Sequence, residues 1–447
     1  MKATLAGIAR HLQTVFLTLP EQAADKAHLI RRKRKFTPIA FALGLTLAWL
    51  QRPGATYPRL LGFLAAAGVS VSASALCQRF TPELAEFFLD LLRQATRLVI
   101  QPSPAQLPLL QRFTAVLIHD STTVNLPAFL AAMWPGCGGS YGGGTGTASL
   151  KISAGLELLS GSLDLSLEPG KQHDSDSPLL TRTPAKGTLV LNDLGYFDLK
   201  RLATWSIAGV FWITRVTARI GLSVGGESLP LWCYLERLRR EGAERVEKWL
   251  SVGELGLKCR LIAIRCPAEV EARRRQKLYE KCAKRGKTPK EAALVLCGWT
   301  VFLTNVPEEK LTWREVWVTY RLRWQVELLF KRWKSLGGLG HSQGTKQWRL
   351  VVEVYAKLLG AVLRQWLTMT TGQGWRLGCS LYKMESVIQD WCLAMLRAIG
   401  SFDELVRLLA ALGEVLRNTP GVDRRKRKPA ACQTLENPNK DGLCECA

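Results

Sequence analysis

Apolar residues recur at helical spacing up to about residue 110 and again from about 345 to 418. Between these regions they alternate with polar residues or run in short β-branched blocks, as strands do. The first region is broken by Pro53, Pro58, Pro82 and Pro102, and its most apolar run, Ile39 to Leu50, reads as a buried helix. That run is well short of the roughly 20 residues a bilayer-spanning helix needs. Val69 to Leu92 reads as two short helices turning near Thr81, and an ordinary helical hairpin fits it better than a helix-turn-helix.

From about residue 111 the period becomes that of strands. "TAVLIHD" is a strand ending in Asp120, "SLKISAGLELLSGSLDLSLEPGK" a hairpin turning at Ser160 to Ser162, and "GTLVLND" a strand ending in Asp193. A helix through Leu199 to Thr204 and a strand "GVFWITRVT" come next. Between 218 and 310, strands "VEKWLSV", "KCRLIAIRC" and "GWTVFLTN" surround a very basic helix, Arg273 to Lys290 at its core, and predict an inserted β-rich domain. The expected division is a helical region over 1–110, a first strand-rich part over 111–217, the insertion over 218–310, a helix-bearing part over 311–345, a helical region over 346–420 and a basic, disordered tail over 421–447.

Thr312-x-x-Glu315 has the capping-box spacing of a helix start and Gly337-Gly338 is a helix stop, which together predict one long helix containing "YRLRWQVELLFKRWK". At about 100° per residue, Leu322, Val326, Leu329 and Trp333 share one side, while Tyr320, Arg323, Glu327 and Lys334 fall in a separate narrow stripe. The apolar side predicts a core face. The polar stripe is open to two readings, i,i+4 ion pairs on a solvated surface or one wall of a site.

Charge sharpens the choice. The 447-residue chain carries 61 Lys and Arg against 37 Asp and Glu, a net charge of +24, which favours a polyanionic partner. Nucleic acid is the first candidate and an anionic membrane surface the second. The amino terminus does not read as a signal peptide, since Arg10 and His11 interrupt it. Twelve cysteines occur without a Cys-x-x-Cys pair, and Cys259, Cys297 and Cys392 sit in apolar surroundings, as reduced thiols do. An intracellular DNA-binding protein is expected.

Asp120 and Asp193, each closing a strand, could meet at one sheet edge, although each alone also fits a cap or turn. Glu327 on the helix would add a third carboxylate. Three such groups repel unless a divalent cation lies between them, and an all-oxygen set suits Mg²⁺ and phosphoryl transfer, with Arg323 and Lys334 holding phosphates. A two-carboxylate sugar hydrolase would leave the positive charge unexplained.

"Asp-Leu-Gly-Tyr-Phe" at Asp193 to Phe197, and the spacing Tyr-(2)-Arg-(3)-Glu-(6)-Lys at Tyr320, Arg323, Glu327 and Lys334, resemble the DDE transposases of bacterial insertion sequences, the insertion-sequence-four family. "LIHDSTTVNLP" fits that family's first Asp, and the separations of 73 residues from Asp120 to Asp193 and 134 from Asp193 to Glu327 fit its layout. The resemblance covers about 111–345. It implies an α/β, RNase H-like mixed sheet with flanking helices, and Mg²⁺, with Mn²⁺ as a substitute, on Asp120, Asp193 and Glu327. The activity implied is cut-and-paste transposition through hydrolysis, a hairpin intermediate and strand transfer. Its partners would be double-stranded DNA, both terminal inverted repeats and target, held by a homodimer on paired ends without a membrane, at the nucleoid in the cytoplasm.

By the same resemblance Tyr320, Arg323 and Lys334 contact DNA phosphates, and a tryptophan receives an extruded base. Trp299 and Trp324 are the candidates, with core packing as the other reading of each. A catalytically inactive DNA-binding relative is the alternative to the enzyme. Other residues rank lower: Lys151 reads more simply as a solvated strand lysine, and His173, Asp174 and Asp176 as turn residues. The basic helix leans toward DNA.

Overall fold

The computed structural model describes residues 2–29, 36–98, 108–137, 147–342, 344–371 and 381–419. The basic cluster at 31–35, most of the glycine-rich stretch before Lys151 and the expected disordered tail over 421–447 lie outside them.

The strands are β1 (Val116–Leu126), β2 (Ala148–Glu157), β3 (Leu163–Pro169), β4 (Leu189–Asn192), β5 (Phe211–Thr214), β6 (Gly221–Val224), β7 (Glu227–Pro230), β8 (Arg245–Val252), β9 (Leu257–Arg265) and β10 (Trp299–Thr304). They form one mixed sheet in the order β3-β2-β1-β4-β5-β10-β9-β8-β6-β7. β4 runs parallel to β1 and β5 parallel to β4, whereas the other neighbours are antiparallel. The stretch expected as an inserted domain thus continues the same sheet, because β10 pairs with β5. The short hairpin β6–β7 escapes the sequence reading, having too few apolar residues to show a period.

Alternation along the central strands divides two cores. Leu189 and Leu191 of β4, Ile213, Ile262 and Phe302 face one core, while Val190, Trp212, Leu261, Ala263, Val301 and Leu303 face the other. Helices at both chain ends cover the first. The expected buried run forms the helix Pro38–Gln51, the hairpin forms Ala73–Cys77 and Pro82–Arg97 with Thr81 as N-cap, and the helix Gln347–Thr368 packs against both Pro38–Gln51 and Pro82–Arg97. Arg349 fixes that contact, its guanidinium lying 5.3, 4.9 and 5.1 Å from the ring centres of Trp49, Tyr57 and Phe80. Among the described residues no helix is long and apolar enough to cross a membrane.

Two local readings need correction. β1 does not stop at Asp120; "STTVNL" keeps alternating and pairs with β2 as far as Leu126, so only its ladder with β4 ends, at His119 beside Asn192. The long helix is also interrupted: α-helix Trp313–Tyr320, a 3₁₀ turn Arg321–Arg323, then α-helix Trp324–Ser335. A 3₁₀ turn advances about 120° per residue, so three residues rotate the segment before it by about 60° relative to an unbroken α-helix. The expected core face survives, with Leu322, Val326, Leu329 and Trp333 all buried. Tyr320, however, leaves the polar stripe and is buried toward the sheet, its ring packed on Phe302.

The capping box forms as read. Thr312 Oγ1 accepts the Glu315 N–H at 3.3 Å, and Glu315 Oε2 accepts the Thr312 N–H at 2.8 Å. Thr312→Ala should therefore lower unfolding free energy by about 1 kcal/mol, read from denaturant melts, while Thr312→Ser should not; equal loss from both would show that the cap is irrelevant.

Candidate active site

The register of β1 on β4 places the first two acids. His119 pairs with Asn192, so the next residues, Asp120 and Asp193, lie side by side where the ladder ends. Asp193 then caps the 3₁₀ turn Leu194–Tyr196 without spending its carboxylate on that turn. The helix Trp324–Ser335 packs on β1 and brings Glu327 to the same point. Asp120, Asp193, Glu327, Arg323 and Lys334 share a cavity of about 660 Å³.

Arg323 stands among the three acids. It donates to Asp120 Oδ2 at 3.0 Å, lies 3.7 Å from Asp193 Oδ2 and pairs with Glu327. Burial would lower its pKa, but Asp193, Tyr320, Glu327 and Asp120 outweigh burial and raise it. One guanidinium does not balance three acids. Burial pushes Asp120 up to about 6, with Asp193 and Glu327 adding to the rise and the Ser121 N–H and Arg323 opposing it. The Tyr320 hydroxyl is shared between Asn192 O at 3.2 Å and Asp193 Oδ1 at 3.3 Å, and burial raises its pKa beyond the normal range for tyrosine. Lys334 is exposed on the cavity wall, about two helical turns beyond Glu327.

The two tryptophans separate. Trp324 is 56% exposed, whereas Trp299 is 1% exposed, packed in the second core under Arg265, whose guanidinium lies 5.4 Å from its ring centre. Trp249 on β8, which sequence reasoning passed over, is 50% exposed; a lone Trp among charged residues of a strand was the available signal.

Lys151 is not solvated. It is buried on β2 and reaches across to Asp174 Oδ1 at 2.8 Å and to Gln172 O. Asp174 also accepts from Ser121 Oγ at 2.7 Å, and Ser121 in turn gives its N–H to Asp120 Oδ1 at 2.8 Å. Burial would raise the Asp174 pKa, but Lys151 and Ser121 outweigh it and hold it below the usual carboxylate range. Asp174–Asp176 does form a turn, capped by His173, as expected. Gly195 permits the approach: a Cβ there would come 2.9 Å from Asp174 Oδ2. No local pattern announces this support, because it joins four segments. Arg215 was also missed. It comes directly after Thr214, which pairs with Asn192, so it leaves β5 beside Asp193, and its guanidinium lies 5.5 Å from the ring centre of Phe302.

The family model described as Transposase DDE domain matches residues 111–363, more than half of the chain. This chain belongs to the DDE transposases. It is 28% identical to the transposase for insertion sequence element IS231F of Bacillus thuringiensis subsp. israelensis, across 94% of this chain and 92% of that protein. Identity to the IS231B transposase of subsp. berliner is also 28%, across 92% and 90%. The transposase for IS1151 of Clostridium perfringens is 27% identical over 58% of each chain. The IS231 elements fall in the insertion-sequence-four family, as the Tyr-Arg-Glu-Lys spacing indicated. The transposase therefore acts on DNA in transposition of an insertion sequence.

The raised Asp120 pKa fixes the sign of one prediction. Its folded value of about 6 exceeds the ordinary 3.8, so Asp120 favours folding most below pH 4 and its contribution is lost as pH rises through 6. Without divalent cations, Asp120→Asn should stabilise the transposase at pH 8 by about 2–3 kcal/mol, with the gap closing by pH 4 in thermal melts; a lower melting point at pH 8 would contradict it. For the supporting pair, Lys151→Met should cost about 1–3 kcal/mol, and Lys151→Met with Asp174→Asn should cost less than the single change; additive losses would mean the two groups are uncoupled.

Proposed function

We propose that this transposase cuts and joins DNA in an RNase H-like core, with Asp120, Asp193 and Glu327 as the carboxylates that hold Mg²⁺ or, in its place, Mn²⁺. The observation that carries the reading is the convergence of these three acids, from two adjacent parallel strands and one helix, on a single guanidinium. The order β3-β2-β1-β4-β5, with an antiparallel meander followed by two parallel strands, supports the RNase H-like core.

The donor set fits the ion. It is all oxygen, it carries three acids against one Arg, and burial raises Asp120 with Asp193 and Glu327 adding to the rise, both of which a bound cation would offset. As placed, the side chains surround Arg323 and are not closed on a common point, and among the described residues no cluster of three or more acids, His or Cys is tight enough to hold an ion. Arg323 would have to turn aside. When bound, the metal supplies Lewis-acid polarisation of the phosphoryl oxygens and a lowered pKa for the attacking oxygen.

This chain's own residues do the rest. Arg323, once released, and Lys334 take phosphate oxygens beside the scissile bond, and Lys334 starts on the open wall of the cavity. Tyr320 holds Asp193 and the end of β4 in place through its hydroxyl. Exposure supports Trp324 as a stacking surface for an extruded base, whereas the burial of Trp299 weighs against that role unless the second core opens. The helical region 1–110 reads the terminal inverted repeats, the β-rich insertion over 218–310 and the helical regions over 311–345 and 346–420 frame the catalytic part over 111–217, and a homodimer pairs two ends. The reaction takes place on nucleoid DNA in the cytoplasm.

Glu327→Gln and Asp193→Asn should each lower Mg²⁺-dependent cleavage of DNA carrying the element's ends by about a thousandfold or more, while gel-shift binding of the same DNA persists. Full cleavage by either variant would overturn the site; binding without cleavage by the unmodified chain would point to an inactive relative.

A further inference from the structure

A second cleft lies one strand over from the candidate active site. β5 ends at Thr214 beside Asn192, so Arg215 leaves the sheet next to Asp193, and Thr217, Ala218 and Arg219 come soon after. These three form one wall of a cavity of about 620 Å³, and the carboxyl end of the basic helix Ala268–Ala283, with the segment to Ala293, forms the other.

Arg219, Lys281, Arg285, Lys287 and Lys290 line this cavity, and no carboxylate does. All five are exposed, and among the described residues none makes an ion pair or side-chain hydrogen bond. Two other cations of the same helix are engaged by the protein itself: Arg274 donates to Trp299 O at 2.9 Å and Thr300 Oγ1 at 3.0 Å, and Arg275 pairs with Glu271 at 2.8 Å. A solvated helix face would intersperse acids; five unpaired cations around one concavity repel one another until an anion enters.

The lining also says which anion. It offers ammonium, guanidinium and threonine hydroxyl groups, the donors that hold phosphate oxygens, and lacks the Asn and Gln that pair with adenine. Contacts of these groups to phosphate carry no sequence information. Of the DNA that a transposase handles, the terminal repeat needs base reading and the target duplex does not. We propose that this cleft binds the phosphate backbone of target DNA and holds it beside the reaction centre, a role that rests on Asp120, Asp193 and Glu327 being that centre.

The test replaces Lys281, Arg285, Lys287 and Lys290 with Gln together in the full chain. Linear DNA carrying the element's own ends serves as donor and a plasmid of unrelated sequence as target. End cleavage should stay within about twofold of wild type, strand transfer should fall by about tenfold or more, and the slope of log affinity against log salt for a short duplex of arbitrary sequence should become shallower by about 3.6. Replacing the three lysines with Arg instead should preserve transfer. Unchanged transfer and slope would overturn the proposal, and so would a parallel fall of cleavage and transfer, which would assign the cleft to end DNA. Should the fourfold variant melt early, Lys281→Gln and Lys287→Gln alone should each make the slope shallower by about 0.9, and no change in either would count equally against it. A wild-type chain that binds the arbitrary duplex but cleaves nothing would fail the reaction-centre reading and leave the slope measurement to judge the cleft.

Discussion

Parallel pairing of β1 with β4 is the constraint on which the site depends. A parallel ladder needs a crossover, here the β2–β3 hairpin and the segment after it, and its reward is that two strand positions with the same direction end at the same edge. The pair His119 and Asn192 sets the register, and a slip of one residue would turn either acid to the opposite face. Both residues are buried, and burial lowers the His119 pKa to about 4, so this imidazole stays neutral across physiological pH and the ladder's last step is not disturbed by titration.

Around that edge the charges are arranged in two tiers. Asp120, Asp193 and Glu327 share Arg323, which leaves a net negative centre facing the cavity. Behind it, Asp174 accepts from both Lys151 and Ser121 Oγ and is held ionised. The two carboxylates linked through Ser121 therefore shift in opposite directions. The burial of Asp174 is outweighed by Lys151 and Ser121, which makes it a fixed point, whereas the burial of Asp120 is not outweighed by Ser121 and Arg323 and leaves it receptive to added positive charge.

The helical layer makes the signature helix a shared element of the two chain ends. Its Arg332 meets Glu385 at 3.4 Å, Glu385 also pairs with Arg364, and Lys357 donates to Gly338 O at 2.9 Å and His341 O at 2.8 Å just past the helix end. Arg364 reaches Leu50 O at 3.1 Å, and Arg349 lies in its ring of Trp49, Tyr57 and Phe80. These side chains are buried, so breaking one pair would strand a charge in a low-dielectric interior. The amino-terminal region is thereby tied, through one helix, to the segment that carries Glu327 and Lys334.

The sequence by itself determined the elements whose signal is local. Period-2 runs placed β1 to β5, the capping box placed the start of the signature helix, and the spacing of Leu322, Val326, Leu329 and Trp333 identified its buried face, because each depends on residues a few positions apart. The family was legible too, since four polar residues at fixed separations and two aspartates closing apolar runs are a pattern of residue types and distances along the chain. Only the tertiary structure decided what depends on contacts between distant segments. It inserted a 3₁₀ turn that swings Tyr320 onto Asp193, buried Lys151 against Asp174, hid Trp299 while leaving Trp324 open, and joined the strands after residue 218 to β1–β5 in one sheet through β10. A lysine, a tryptophan or a tyrosine carries the same local pattern whether its far end meets solvent, a carboxylate or a core, and only the partner brought from elsewhere in the chain fixes which.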